Sequence, residues 1–285
     1  MNEKLAALRE RIDTLDDRLL DLLRERMERV AAIAVAKQRD AGGGIALRPA
    51  REAMILRRLL ARAQDALPAA TVLRIWRELF AAAIQLQSPL RVAVCGETCA
   101  LATVARDHFG VVTPLLQVQR PAQALRLVSE GEAQLALLPL PSDRDDWWLH
   151  LGNPEPPPLR VVSRLPFLHL ERPHPSLSGY LLGDLPLEES GDDLSLLLLE
   201  TAEDTSRSRL TELLERAGLA PRWIASRSER GRALGLHLVE VHGFHDGYSP
   251  ALQAAFAPLR SRLLRLRCLG AYPRPLDVAA AGACS

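Results

Sequence analysis

The feature that most restricts this chain is a stretch of helical periodicity over residues 3 to 40 that contains neither proline nor glycine and stops only at Gly42, Gly43 and Gly44. It predicts one very long helix. At ~100° per residue, Leu8, Ile12, Leu15, Leu19, Leu22, Val30 and Ile33 align as a single apolar stripe. After Pro49, residues 50 to 66 predict a second helix closed by Pro68, and residues 70 to 87 a third that ends at Ser88-Pro89. A helix of nearly forty residues is longer than so small a three-helix unit can cover, so the pattern predicts that a second copy of the chain packs against it.

Charges on the apolar faces carry the functional reading. Arg26 and Lys37 lie on the apolar stripe of helix one, and two cations on one buried face call for something negative between them. Either one alone is compatible with a side chain that reaches the edge of a helix interface. Their separation of eleven residues is ~16 Å along the axis, short enough for the two side chains to converge on one small molecule. Arg9 is twenty-eight residues from Lys37, ~42 Å away, so it can serve the same site only from an antiparallel partner. In helix three Val72, Trp76, Leu79, Phe80 and Ala83 form the apolar face and Gln87 continues it as an amide. In helix two Glu52 shares a face with Ile55, Leu56 and Leu59 beside Arg51, where a first-turn carboxylate also serves the helix dipole.

From Leu90 the texture changes. RVAVC, VVTPLLQV and AQLALLPL read as strands separated by the helices ALATVARDHFG and AQALRLVSEG, a βαβαβ layer. Residues 141 to 158 read as a polar, proline-rich loop, followed by the strands RVVS and SGYLLG. From Asp192 the order becomes βαββαβ, that of the ferredoxin-like arrangement. The expected organisation is therefore multidomain: an all-α three-helix segment over 1–89, an α/β segment over 90–190 and a ferredoxin-like segment over 191–285.

Global composition selects no polymeric partner. The 36 basic and 35 acidic residues leave a formal net charge of +1, which favours neither nucleic acid nor an anionic membrane. No apolar stretch approaches the ~20 residues that cross a bilayer, and the charged start lacks a signal-peptide core, so a cytoplasmic location is expected. Cys95, Cys99, Cys268 and Cys284 form neither a C-x-x-C pair nor a metal spacing with histidine and read as reduced.

The stretch LAALRERIDTLDDRLLDLLRERMERVAAIAVAKQ, with PAREAMILRRLL and IWRELFAAAIQLQ after it, resembles the all-helical chorismate mutases across the first 89 residues. The resemblance implies an intertwined homodimer with shared active sites that converts chorismate to prephenate without cofactor or metal. It implies that Arg9 of one subunit and Arg26 of the other hold the substrate carboxylates, with Arg51 a further site arginine. By the same resemblance Lys37 and Gln87 are expected to reach the ether oxygen and Glu52 to take the ring hydroxyl. A Claisen rearrangement is unimolecular, so what it requires is a folded substrate and stabilised charge on the breaking ether oxygen. Two positions depart from the family's pattern: Arg48 stands where many relatives have aspartate, and Ala83 where a serine is common.

The other two segments resemble the dehydratase and regulatory parts of bifunctional chorismate mutase/prephenate dehydratases. RVAVCGETCALATVARDHFG is similar to the opening of the dehydratase domain, but Glu97, Thr98 and Cys99 stand where its glycine-threonine-phenylalanine-serine signature belongs, and the threonine-arginine-phenylalanine signature is missing. The expectation is a truncated domain without dehydratase activity. Residues 192 to 275 resemble an ACT module, with Ser226 and Arg227 retained from its ligand motif and Ser206, Arg207, Ser208 and Arg209 replacing an apolar ligand contact. Phenylalanine is the ligand this implies, with a purely structural module the alternative. For the whole chain the alternatives are a bifunctional enzyme with both activities and a non-catalytic mutase-like regulator.

Overall fold

A computed structural model describes residues 2–39, 44–63, 66–96, 99–141, 147–151, 159–169, 177–229, 234–246, 249–259 and 262–277, with the side chains of residues 2 and 37–39 outside that description. Three helices come first, α1 (Asn2–Arg39), α2 (Pro49–Ala63) and α3 (Ala69–Gln87). Pro49 opens α2, where its fixed φ suits a first turn. At the end of α3, Ser88 is extended at φ −156° and ψ 133°, as the residue before a proline must be.

The middle segment supplies β1 (Val92–Cys95), α4 (Ala100–Phe109), β2 (Leu115–Val118), α5 (Pro121–Ser129), β3 (Leu135–Pro139), α6 (Trp147–His150), β4 (Arg160–Leu165), β5 (Leu168–His169) and β6 (Gly179–Gly183). The last supplies β7 (Asp193–Ala202), α7 (Arg207–Arg216), β8 (Arg222–Glu229), β9 (Leu234–His242), α8 (Pro250–Phe256), β10 (Leu263–Pro273) and β11 (Leu276–Asp277). The order β10-β7-β9-β8, antiparallel throughout, is the ferredoxin-like arrangement expected from the βαββαβ sequence.

Three local expectations need correction. The stretch read as the strand VVTPLLQV pairs only over Leu115–Val118, because Gly110 turns left-handed at φ +68° and closes α4 just before it. The stretch read as loop from 141 to 158 contains the short helix α6, whose Trp147 and Trp148 are buried; two adjacent indoles in a polar segment are anchored by the core they enter. The short ladder of β5 with β11 joins chain segments over a hundred residues apart, which no local pattern announces.

The strands of both segments form one nine-stranded sheet, β2-β1-β3-β6-β4-β10-β7-β9-β8. The seam is the parallel pairing of β4 with β10 at Val161 and Gly270. Any Cβ at position 270 would collide with the Val161 backbone, so glycine is what lets the strands meet. One hydrophobic cluster runs across the seam, joining Ala93, Leu138 and Tyr180 to Leu196, Leu238 and Tyr272. Buried beside it, Glu240 accepts from Tyr272 (2.5 Å), Arg222 (2.8 Å), Tyr180 (3.4 Å) and Arg164 (3.4 Å), so strands of both segments share one carboxylate.

The helical segment docks on the same seam. Arg57 of α2 donates to the Ser190 carbonyl at 3.0 Å and the Asp192 carbonyl at 2.7 Å. The apolar stripe of α1 remains largely open, with Leu8, Ile12, Leu15, Leu19 and Leu22 each 50–57% exposed. No helix among the described residues is long and apolar enough to cross a membrane.

Candidate active site in the helical segment

Glu52 lies in the first turn of α2 and is buried by α3, whose Phe80 packs with Ala53 and Leu56. A carboxylate there needs a partner. It has one in Arg77 of α3, whose Nη1 donates to Oε2 at 2.6 Å. Arg77 is 3% exposed, and its guanidinium stands 5.3 Å from the centre of the Phe167 ring, which comes from the segment after β4. Desolvation pushes the Glu52 carboxyl above its ordinary range and the Arg77 guanidinium below its own, while their mutual attraction opposes both shifts.

Arg26 approaches the same cluster from α1, with its guanidinium 5.9 Å from the Phe80 ring centre. Half-buried there, it is shifted downward by desolvation. Arg26 and Glu52 therefore both lie beside the Phe80 cluster. The other expected site residues are not gathered there within one chain. Arg9 and Arg51 are exposed, and Gln87 turns its Nε2 back onto the Ala83 carbonyl at 3.0 Å. Lys37 lies within α1, but its side chain is outside the described residues.

Arg48, at the position where many relatives have aspartate, forms a forked ion pair with Glu188, with Nη2 at 2.6 Å and Nε at 3.1 Å. It is thereby committed to the α/β segment. Ala83 is buried. In the last segment Ser226 Oγ lies 3.0 Å from His237 Nδ1 and Arg227 is exposed. Glu97 and Thr98 lie outside the described residues.

Sequence reasoning missed Arg77, although the test applied to helix one would have found it. It falls three residues before Phe80, four after Leu73 and seven before Ile84, on an apolar side of helix three. It also missed Glu240, whose strand positions Leu236 and Leu238 share one face with it. Among the described residues no cluster of three His, Cys, Asp or Glu side chains could hold a metal ion.

Comparison with known proteins adds what the geometry alone does not carry. Residues 8–88 match the profile of chorismate mutase type II. The matched residues take in nearly the whole of α1, α2 and α3. The chain is 32% identical to a bifunctional chorismate mutase/prephenate dehydratase of Pseudomonas aeruginosa over 145 residues, which are 48% of this chain and 39% of that protein. It is 34% identical to the protein of the same description from Neisseria gonorrhoeae over 111 residues, 39% of this chain and 30% of that one. The chain thus matches well under half the length of these relatives. Among solved structures, GqqA, described as a novel type of quorum quenching acylase, aligns with a TM-score of 0.50 at 21% identity, covering 64% of this chain and 94% of that one. This likeness is one of fold.

Proposed function

We propose that the chain is a chorismate mutase that rearranges chorismate to prephenate and stops there. The observation that carries the reading is the profile match over residues 8–88, which spans all six expected site positions, Arg9, Arg26, Lys37, Arg51, Glu52 and Gln87. The working enzyme is a cytoplasmic homodimer in which α1 of each subunit covers the apolar stripe of the other. Arg9 then enters the partner's site and with Arg26 holds the two carboxylates. Lys37 and Gln87 stabilise charge on the departing ether oxygen, and Glu52 accepts from the ring hydroxyl. Gln87 leaves the Ala83 carbonyl to do so.

The division into 1–89, 90–190 and 191–285 belongs to the same proposal, with the first part catalytic, the second a truncated dehydratase relative and the third ACT-like. Phenylalanine is the ligand to try on the third. The relatives' names favour a second reading in which prephenate is also dehydrated; the missing signatures at Glu97, Thr98 and Cys99 argue against it.

The test is to supply purified full chain with chorismate, follow its loss, and separate prephenate from phenylpyruvate. Lys37→Ala is expected to lower kcat by about 10²- to 10³-fold, the usual effect of losing one preorganised donor. Mixing inactive Arg9→Ala with inactive Lys37→Ala restores activity if sites are shared, since one site of each heterodimer keeps both residues. Absence of chorismate turnover by the unmodified chain refutes the proposal, and protein-dependent phenylpyruvate formation from prephenate selects the second reading.

A further inference from the structure

The ion pair beneath the proposed site has a consequence for how Glu52 works, and it rests on the mutase reading above. Glu52 is 8% exposed, and a carboxylate so desolvated tends toward its neutral form, in which one oxygen becomes a donor. An acceptor for a substrate hydroxyl must stay ionised. Arg77 supplies the opposing charge, its Nη1 donating to Oε2 at 2.6 Å. Charged and titratable groups face the pair from several elements; Arg74 of α3 and Asp107 of α4, paired at 3.1 Å, line a cavity together with Arg77, His108 and Phe167. Arg26 of α1 stands over Phe80, His108 of α4 lies within electrostatic reach of Arg77, and Arg48 and Arg51 belong to the α2 end itself, the first engaged with Glu188 and the second exposed.

Arg77 is itself held from behind. Phe167 follows β4 in the α/β segment and presents its ring to the guanidinium at 5.3 Å. A buried ion pair alone is weak evidence of anything but structure, since apolar pairs often replace such pairs without loss. Here, however, one member occupies an expected substrate-contact position, and the group that orients the other comes from a different segment.

We propose that Arg77 is a positioning residue for the mutase reaction, holding Glu52 ionised and aimed, and that Phe167 extends this support from the α/β segment into the helical site. The α/β segment is then part of the mutase site rather than a neighbour of it.

The experiment compares kcat/KM for chorismate against pH in the full chain, Arg77→Gln, Arg77→Lys, Phe167→Leu and Glu52→Gln/Arg77→Gln. It also follows the Glu52 carboxyl by carbon-13 NMR in the unmodified chain and the single variants. Arg77→Gln keeps a hydrogen-bond donor and removes the charge. It is expected to move the acid limb of the profile upward, with at least about tenfold lower kcat/KM at pH 7 and recovery at higher pH, since each unit between pKa and pH is tenfold in ionised fraction. The Glu52 carboxyl resonance titrates upward in parallel. Arg77→Lys restores most of the profile, and Phe167→Leu shifts it the same way by a smaller amount, about threefold at pH 7. Without the Glu52 carboxylate, the double variant loses the acid limb.

A uniform loss at every pH, or an unmoved Glu52 titration in Arg77→Gln, overturns the proposal while leaving the mutase reading intact. Should Arg77→Gln not fold, Phe167→Leu decides by the same two measurements. An unmodified chain inactive on chorismate removes the mutase reading and this proposal together.

Discussion

Helix α1 and the nine-stranded sheet solve the burial problem in opposite ways. In the sheet, Leu135, Leu137, Leu181, Leu182, Leu196 and Leu197 are all at 0% exposure, covered within the chain by helices and by neighbouring strands. On α1, Leu5, Leu8, Ile12, Leu15, Leu19, Leu20 and Leu22 remain between 47% and 57% exposed. Both regions are rich in leucine. The difference is geometric, since a sheet offers two faces to its own crossover helices while the long helix lies chiefly against α3. The sheet's leucines are thus buried within the chain, and α1 is left with an exposed apolar surface, the one the proposed homodimer would cover.

Leu15→Asp with Leu19→Asp is expected to abolish dimerisation and mutase activity while the sheet still unfolds cooperatively; size-exclusion light scattering and a circular-dichroism melt distinguish these. A variant that remains dimeric would show that α1 is not the interface. In the sheet the largest expected effect is at the seam. Glu240→Ala removes the acceptor shared by Arg164, Arg222 and two tyrosine hydroxyls and is expected to cost about 3–5 kcal/mol in urea unfolding, with the oligomeric state unchanged. Loss of much less than 1 kcal/mol would mean that the seam is held by its apolar contacts alone.

Leu196→Ala opens a cavity in the shared core and is expected to cost about 2–5 kcal/mol, again without altering assembly. The corresponding Leu22→Ala on α1 should weaken the dimer in dilution experiments and leave the unfolding of the sheet unchanged. The smallest effect concerns pH. His108 is held well below its ordinary range, first by desolvation and then by the charge of Arg77. Its folded value is lower than its unfolded one, so the unfolded chain binds the extra proton first. The stability this contributes is present above about pH 6.5 and falls as pH drops toward the folded value. His108→Gln should flatten the melting temperature between pH 7 and 5 by a small amount, and an unchanged slope would exclude His108 as its source.

Legibility in the sequence followed the range of the forces involved. The three helices were readable from proline and glycine punctuation and a 3.6-residue period, as was the ferredoxin-like order from alternating short apolar stretches. Arg26 stands out in the sequence because a cation on an apolar stripe is anomalous by itself, and in the structure its guanidinium lies over Phe80. Arg77 carries the same signal more faintly, since it lies about 100° round the helix from Trp76, beside the main apolar face of Val72, Trp76 and Phe80. Glu240 had a weaker one, since a single glutamate in an alternating strand reads equally well as an edge or a face.

What the sequence by itself determined is therefore local: which stretches form the three long helices and the main strands, and which faces are apolar. Only the tertiary structure decided that the two α/β segments share one sheet, because the meeting of β4 with β10 at Gly270 is a backbone approach between residues over a hundred positions apart. Only it decided what each buried charge meets. Glu52 finds Arg77, Arg48 finds Glu188, and Glu240 gathers two arginines and two tyrosines. Periodicity reports burial, which depends on one residue and its near neighbours. Charge pairing depends on the angle and position of a distant element, and that is settled only when the whole chain packs.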